Sequence, residues 1–233
     1  MAQRDVPFSI GDWYHCFNVA IEKRSAFTDA ADYQRFLELL YLANDAKPLR
    51  RNDFGNLTFE RVLRIPRGGQ LVSVGAFCLM PSHFHLVLRE SAPGGISAFM
   101  RKIGTAYTMY FNSRYERAGN LFLKPFRSRH VPEAEFQHLV SYVHCSPASL
   151  YEPEWKTRHI VDPQFLGERI AAYPYSSFRA YAGISTPSDA ILDAKMLSRG
   201  RAVPMQRTLK EALTYHVDTG ISRFLINSLD ALC

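Results

Sequence analysis

Two short patterns in the chain carry residue types that do chemistry. The first is His83-Phe84-His85, followed by Leu86, Val87 and Leu88. On a strand, residues two apart face the same side, so both imidazoles can reach one ion while Phe84 points to the opposite, core side. Neutral imidazole suits several divalent metals, and an added oxygen ligand would admit Mg²⁺ or Mn²⁺. Taken alone, so short a pattern is better explained by two histidines that happen to alternate at a strand end. The second pattern changes that balance. Between Glu133 and Cys145 the spacing predicts a helix on which His138, Tyr142 and then Ser146 follow at steps of four, on one face. Tyr142 is then presented beside other polar groups and not inside an apolar stripe. A phenol with a pKa of about 10 is a poor nucleophile, but a nearby cation favours its phenolate. The plainer alternative, a packed tyrosine whose hydroxyl closes a hydrogen bond, fits any of the 12 tyrosines.

A third feature is electrostatic. Arg114, Arg117, Lys124, Arg127 and Arg129 fall within sixteen residues, interleaved with Tyr115, Phe122 and Phe126. Basic groups hold phosphates and aromatic faces stack on unpaired bases, so the mixture favours single strands. A solvated loop and strand with ordinary surface charge accounts for it as well. Over the whole chain 28 Lys and Arg stand against 22 Asp and Glu, a net charge of +6 that suits a polyanionic partner.

The elements that must position these residues can be read from periodicity. Residues 13–21 (WYHCFNVAI) are aromatic and β-branched, hence a strand. A helix opens near Thr28 or Asp29 and runs to about Asn44, its stripe being Tyr33, Phe36, Leu37, Leu40 and Tyr41. Residues 57–65 and 70–79 read as strands joined by Pro66-Arg67-Gly68-Gly69, and 84–89 as another strand after a break at Met80-Pro81-Ser82. A long helix over 96–115 buries Ile96, Phe99, Met100, Ile103, Tyr107, Tyr110 and Phe111. Residues 120–131 read as extended. Pro132 with Glu133 and Glu135 opens the next helix, which Pro147 should stop. The order strand, helix, three strands, helix, strand, helix predicts an antiparallel α+β sandwich. Beyond about residue 186, 193–200 and 208–218 look helical, with little apolar mass for a core of their own.

Composition sets outer bounds. With 233 residues and 47% apolar content, the chain can bury a sizeable core. No apolar run approaches the roughly 20 residues that a bilayer requires. The first sixteen residues lack a secretory apolar core, so we expect a cytoplasmic, nucleoid-associated protein without membrane contact. Cys16, Cys78, Cys145 and Cys233 form no CxxC pair, which opposes a zinc ribbon; the first three are expected to be buried.

Several ordered blocks together resemble the REP-associated tyrosine transposases, within the single-tyrosine HUH superfamily. YHCFNVAIEKRSAFTDAADYQRFLELL is similar to that family's first strand and helix, and FCLMPSHFHLVL to its HUH strand. YTMYFNSRYERAGNLFLKPFRSRHV resembles the connecting helix and basic strand, HLVSYVHCSP the nucleophile helix, and YPYSSFRAYAG the segment after the core. The resemblance runs from about Tyr14 to Gly183. It implies an α+β fold, a ferredoxin-like antiparallel sheet with helices packed on it and the HUH strand at its centre. A domain of residues 1–185 would then precede a mainly helical extension, 186–233. It also implies that His83 and His85 bind Mg²⁺ or Mn²⁺ and that Tyr142 attacks a scissile phosphate, giving a 5′-phosphotyrosine bond in single-stranded DNA near a REP-like hairpin. Arg114, Arg117, Lys124, Arg127 and Arg129 would hold that DNA. Family members usually carry Asn or Gln four residues after the nucleophile, often as Asn-Pro, where this chain has Ser146-Pro147. A third metal ligand would therefore be Ser146 or, one turn before the tyrosine, His138. Loss of the amide leaves open a hairpin-binding protein with weakened catalysis. An unrelated metal hydrolase using His83 and His85 is opposed by the absence of a nearby Asp or Glu ligand in that strand. A monomer is expected, with a dimer left open.

Overall fold

The computed structural model describes residues 7–48, 57–156, 160–199 and 205–219. Strand β1, Trp13–Val19, alternates its side chains between the two faces of the sheet. Helix α1, Ala30–Leu42, begins where the Asp29 carboxylate accepts the amides of Ala31 and Asp32, satisfying two donors the first turn leaves unpaired. Residues 57–65 do not form a strand; Phe59–Val62 is a short helix, α2. Its buried residues Val62 and Leu63 and the partly buried Phe59 are spaced by one helical turn, a period that outweighs the apparent alternation. Two strands, not three, therefore lie between the first two long helices.

Strands β2, Val72–Met80, and β3, His83–Glu90, form a hairpin through Pro81-Ser82. Helix α3, Gly95–Arg114, follows at once, and the Glu90 carboxylate accepts the amides of Gly95 and Ile96 at 3.0 and 2.8 Å. A Cβ at Gly95 would stand 2.1 Å from the Leu71 carbonyl oxygen, so this close entry requires glycine. Within residues 120–131 only Arg127–Val131 is a continuous strand, β4. Phe122 makes a single bridge to Ala20.

Helix α4, Phe136–Cys145, follows a 3₁₀ turn at Glu133–Glu135. Pro147 does not stop the chain from coiling: Ser146 keeps helical angles, and Ser146–Leu150 continues as a 3₁₀ turn. Helices α5 (Pro163–Ala172), α6 (Phe178–Tyr181), α7 (Ala194–Arg199) and α8 (Met205–Thr219) complete the described chain. Among the described residues no helix is long and apolar enough to cross a membrane. Cys16, Cys78 and Cys145 are buried as free thiols, and Cys233 lies outside the described residues.

The sheet order is β2-β3-β1-β4, antiparallel throughout, which is the ferredoxin-like arrangement with the two-histidine strand at its centre. On one face, α1 and α3 cover the apolar side: Phe84 meets Phe36 at 4.9 Å and Phe36 meets Tyr107 at 5.0 Å between ring centroids. Truncating the fully buried Phe36 to alanine would cost about 3–5 kcal/mol. On the other face lies α4, with Trp13 against Phe136 at 4.7 Å. The open edge of β2 is blanketed by residues 173–181. Leu79 N–H donates to the Tyr175 carbonyl, the Tyr173 and Tyr181 hydroxyls donate to the carbonyls of Leu79 and Gly75, and Ser177 pairs with Phe77. Covering an edge this way removes a template for unwanted strand pairing.

Candidate functional site

His83 and His85 project from the same side of β3, toward α4, with ring centroids 5.2 Å apart and planes nearly perpendicular. Each has its Nδ1 engaged. His83 Nδ1 lies 3.2 Å from Ser82 Oγ, and His85 Nδ1 lies 3.0 Å from Nε2 of His15 on β1. His15 is fully buried beside the pair, and its own Nδ1 has no hydrogen-bond partner among the described residues. If His85 is to offer its Nε2 lone pair, its Nδ1 must carry the proton and donate to His15. Burial keeps all three rings neutral. It lowers His15 to about 3, helped by Arg129 and Lys156, and His83 to about 4, helped by Lys156. His85 is held well below its ordinary range by burial and then by His15, His83 and Lys156.

Tyr142 stands over this group from α4, its ring edge-on at 5.8 Å from His85 and 6.1 Å from His15. The sequence suggested a tyrosine set among polar groups on its helix face; in the structure it is enclosed, with an exposure of 0%. Two groups outside α4 enclose it. The Tyr215 ring of α8 lies 5.4 Å away, and Lys156 Nζ donates to the Tyr142 hydroxyl at 3.1 Å. Burial, with Tyr215 adding to it, raises the phenol well above its usual range. Burial likewise pushes the Lys156 ammonium down to about 8.

The face is closed by α8. Ser141 Oγ donates to Glu211 at 2.7 Å, Arg207 pairs with Glu211 at 2.8 Å, and Arg129 of β4 donates to the Tyr215 hydroxyl at 3.1 Å. Helix α8, from the stretch whose sequence suggested too little apolar mass for a core of its own, thus lies over α4.

The buried Ser146 hydroxyl donates to the Tyr142 carbonyl at 3.2 Å, a bond within its own helix. His138 is half-buried one turn before Tyr142. Among the described residues no group of three or more His, Cys, Asp or Glu is disposed to hold a metal ion. The donors do suit a divalent cation at His83 and His85, because both rings are neutral and both Nδ1 atoms are otherwise engaged. Any further ligands would come from outside the histidine set.

The basic cluster divides. Arg114 is bound to Asp29 at 2.5 Å and Asp32 at 2.8 Å, and donates to the Tyr110 hydroxyl, tying the end of α3 to the start of α1. Arg129 pairs with Glu135 at 3.0 Å. Arg117 donates to Asn112, while Lys124 and Arg127 are exposed. The interleaved aromatics are mostly spent on the fold: Phe122 is in the core, Tyr115 donates to Asp32, and Phe126 stacks on Phe8.

His15, Lys156 and Tyr215 are the residues that sequence reasoning missed. His15 had a signal, since Trp13, His15 and Phe17 share one face of a strand. Lys156 lies in a stretch without periodicity, and Tyr215 on a helix whose partner no local pattern reveals.

No protein-family model matches the chain, and no curated protein matches it. Among solved structures it is similar to a REP-associated tyrosine transposase bound to a REP hairpin. That likeness has 14% sequence identity, covers 88% of this chain and 99% of that one, and has a TM-score of 0.48.

Proposed function

We propose that the chain is a divalent-metal-dependent nuclease and strand transferase of the single-tyrosine HUH kind, which cuts single-stranded DNA near a hairpin by linking Tyr142 to a 5′ phosphate. The observation that carries this reading is the meeting of two neutral, Nδ1-anchored histidines and one tyrosine on the same face of the central strand. His83 and His85 would hold Mg²⁺ or Mn²⁺, and His15 would keep the His85 ring in the orientation and tautomer that binding needs. Such an ion, when bound, acts as a Lewis acid on a phosphate oxygen. Tyr142 Oη would be the nucleophile, held close to that phosphate by α4. Lys124 and Arg127 would steer the backbone into place.

The test is incubation with end-labelled single-stranded hairpin DNA and Mn²⁺, followed by denaturing electrophoresis. An adduct that survives denaturation, maps to Tyr142 and disappears in Tyr142→Phe is the expected result. Failure to form any adduct under conditions where DNA binds would refute it. A second reading, a hairpin-binding protein without turnover, is favoured by one observation: Tyr142 is enclosed by Tyr215 and Lys156. Hairpin binding without an adduct, even when α8 is loosened, would select it.

A further inference from the structure

The geometry points to Lys156 as the catalytic partner of Tyr142: its ammonium holds the hydroxyl in place and carries the charge of that oxygen, both when the DNA strand is cut and when it is rejoined. This rests on reading Tyr142 as the nucleophile. Lys156 follows Trp155, whose buried side chain anchors the segment against the core. The ammonium lies 4.8 Å from the Tyr142 ring centroid, 5.6 Å from that of Trp155, and 3.1 Å from Tyr142 Oη. Among the described residues it forms no ion pair. An ammonium held half-buried without a carboxylate costs part of its hydration.

The chemistry gives that cost a purpose. The Tyr142 hydroxyl is enclosed, and the Lys156 ammonium stands within hydrogen-bond reach of the oxygen on which charge would develop. A neutral phenol is a modest acceptor for Lys156, whereas a phenolate is a strong one, so the bond tightens as negative charge appears on Oη. In the forward step the phenol proton passes to water and Lys156 stays protonated. The Oη electron pair then bonds phosphorus, the bond from phosphorus to the 3′ oxygen breaks with its pair going to that oxygen, and the 3′ oxygen takes a proton from water. In the reverse step a 3′ hydroxyl gives its proton to water and attacks the phosphotyrosine. The leaving phenolate is received by the same ammonium. Lys156 therefore serves both directions.

The experiment compares wild type, Lys156→Met and Lys156→Arg in the full chain. It measures formation of the labelled adduct, reversal of purified adduct by a strand with a free 3′ hydroxyl, and hairpin binding. Lys156→Met keeps length and removes charge; both formation and reversal should slow by about 100-fold, as for loss of one preorganised donor, with DNA binding unchanged. Lys156→Arg, which keeps a cation, should recover most of the rate. Wild-type rates in Lys156→Met would overturn the proposal, as would an arginine variant as slow as methionine although folded and binding DNA. Should Lys156→Met fail to fold, ζ-¹⁵N lysine spectra decide: the Lys156 signal must shift between wild type and Tyr142→Phe, and a signal indifferent to that change overturns the assignment. Absence of an adduct in wild type would instead sink the reading of Tyr142 itself.

Discussion

Replacing Tyr215 by alanine should loosen α8 from the tyrosine helix without unfolding the sheet. Tyr215 is 1% exposed; its ring lies against Tyr142 and its hydroxyl accepts from Arg129. Truncating a buried aromatic costs about 3–5 kcal/mol, and we take the lower figure because a helix on the surface can partly collapse into the gap. The Tyr215 side chain joins α8 to α4 and β4, so the cost falls on docking. About 3 kcal/mol corresponds to a roughly 100-fold rise in the undocked population. Amide hydrogen exchange reads this directly: amides of 209–215 should exchange about 100-fold faster, while those of β3 keep their protection. If Tyr142 is the nucleophile, adduct formation should accelerate in the same variant. Amides of α8 that exchange as slowly as in wild type, or α8 and β3 amides that accelerate together, would refute this assignment of the cost to docking.

Tyr142→Phe should remove the adduct and also lower stability by roughly 1–3 kcal/mol, because the half-buried Lys156 ammonium loses its acceptor; an unchanged urea midpoint would contradict that bond. His83→Ala and His85→Ala should each abolish the heat of Mn²⁺ binding, while His15→Ala should weaken it by roughly 10–100-fold through loss of the hold on His85. Equal affinities in calorimetry would refute a shared site. Acid should destabilise the protein early. His15, His83 and His144 sit at about 3, about 4 and about 3, all lowered by burial from 6.5. Above 6.5 neither folded nor unfolded chain protonates them and their stability contribution is fully present. As pH falls through 6.5 the unfolded chain takes up protons that the native one refuses, and each histidine then removes up to roughly 1.4 kcal/mol per pH unit until its folded pKa is reached. Urea midpoints that stay level between about pH 7 and pH 5 would show these rings to be accessible after all.

Much of the frame was legible because it is written in local periods. The alternation around Phe84 put both histidines on one face, and the stripes of α1 and α3 with the Asp29 cap fixed two helices almost to the residue. What failed was local in another way. In residues 57–65 the apolar positions Phe59, Val62 and Leu63 satisfied both periods for a few residues, and the helical one prevailed because it buries Val62 and Leu63 together. Tyr142 was misjudged because exposure is decided by what comes to lie on a helix. Here that is α8, more than sixty residues later in the chain, and neither its approach nor that of Lys156 leaves a mark in the sequence around the tyrosine. His15 needed one further fact, namely which strand lies beside β3.

The pairing of Arg114 with Asp29 and Asp32, and of Arg129 with Glu135, sets how binding to a nucleic acid should respond to ionic strength. Cations already neutralised inside the protein displace no counterions from a phosphate backbone. Of the five basic residues in the stretch, Arg117, Lys124 and Arg127 make no ion pair among the described residues. On single strands each neutralised phosphate contributes about 0.7 to the slope of log affinity against log salt, so three give about 2 where five would give about 3.5. Between about 50 and 200 mM salt that is a loss of roughly 16-fold, against roughly 130-fold for five. If the chain holds a strand as proposed, that hold should therefore depend less on counterion release than its net charge suggests.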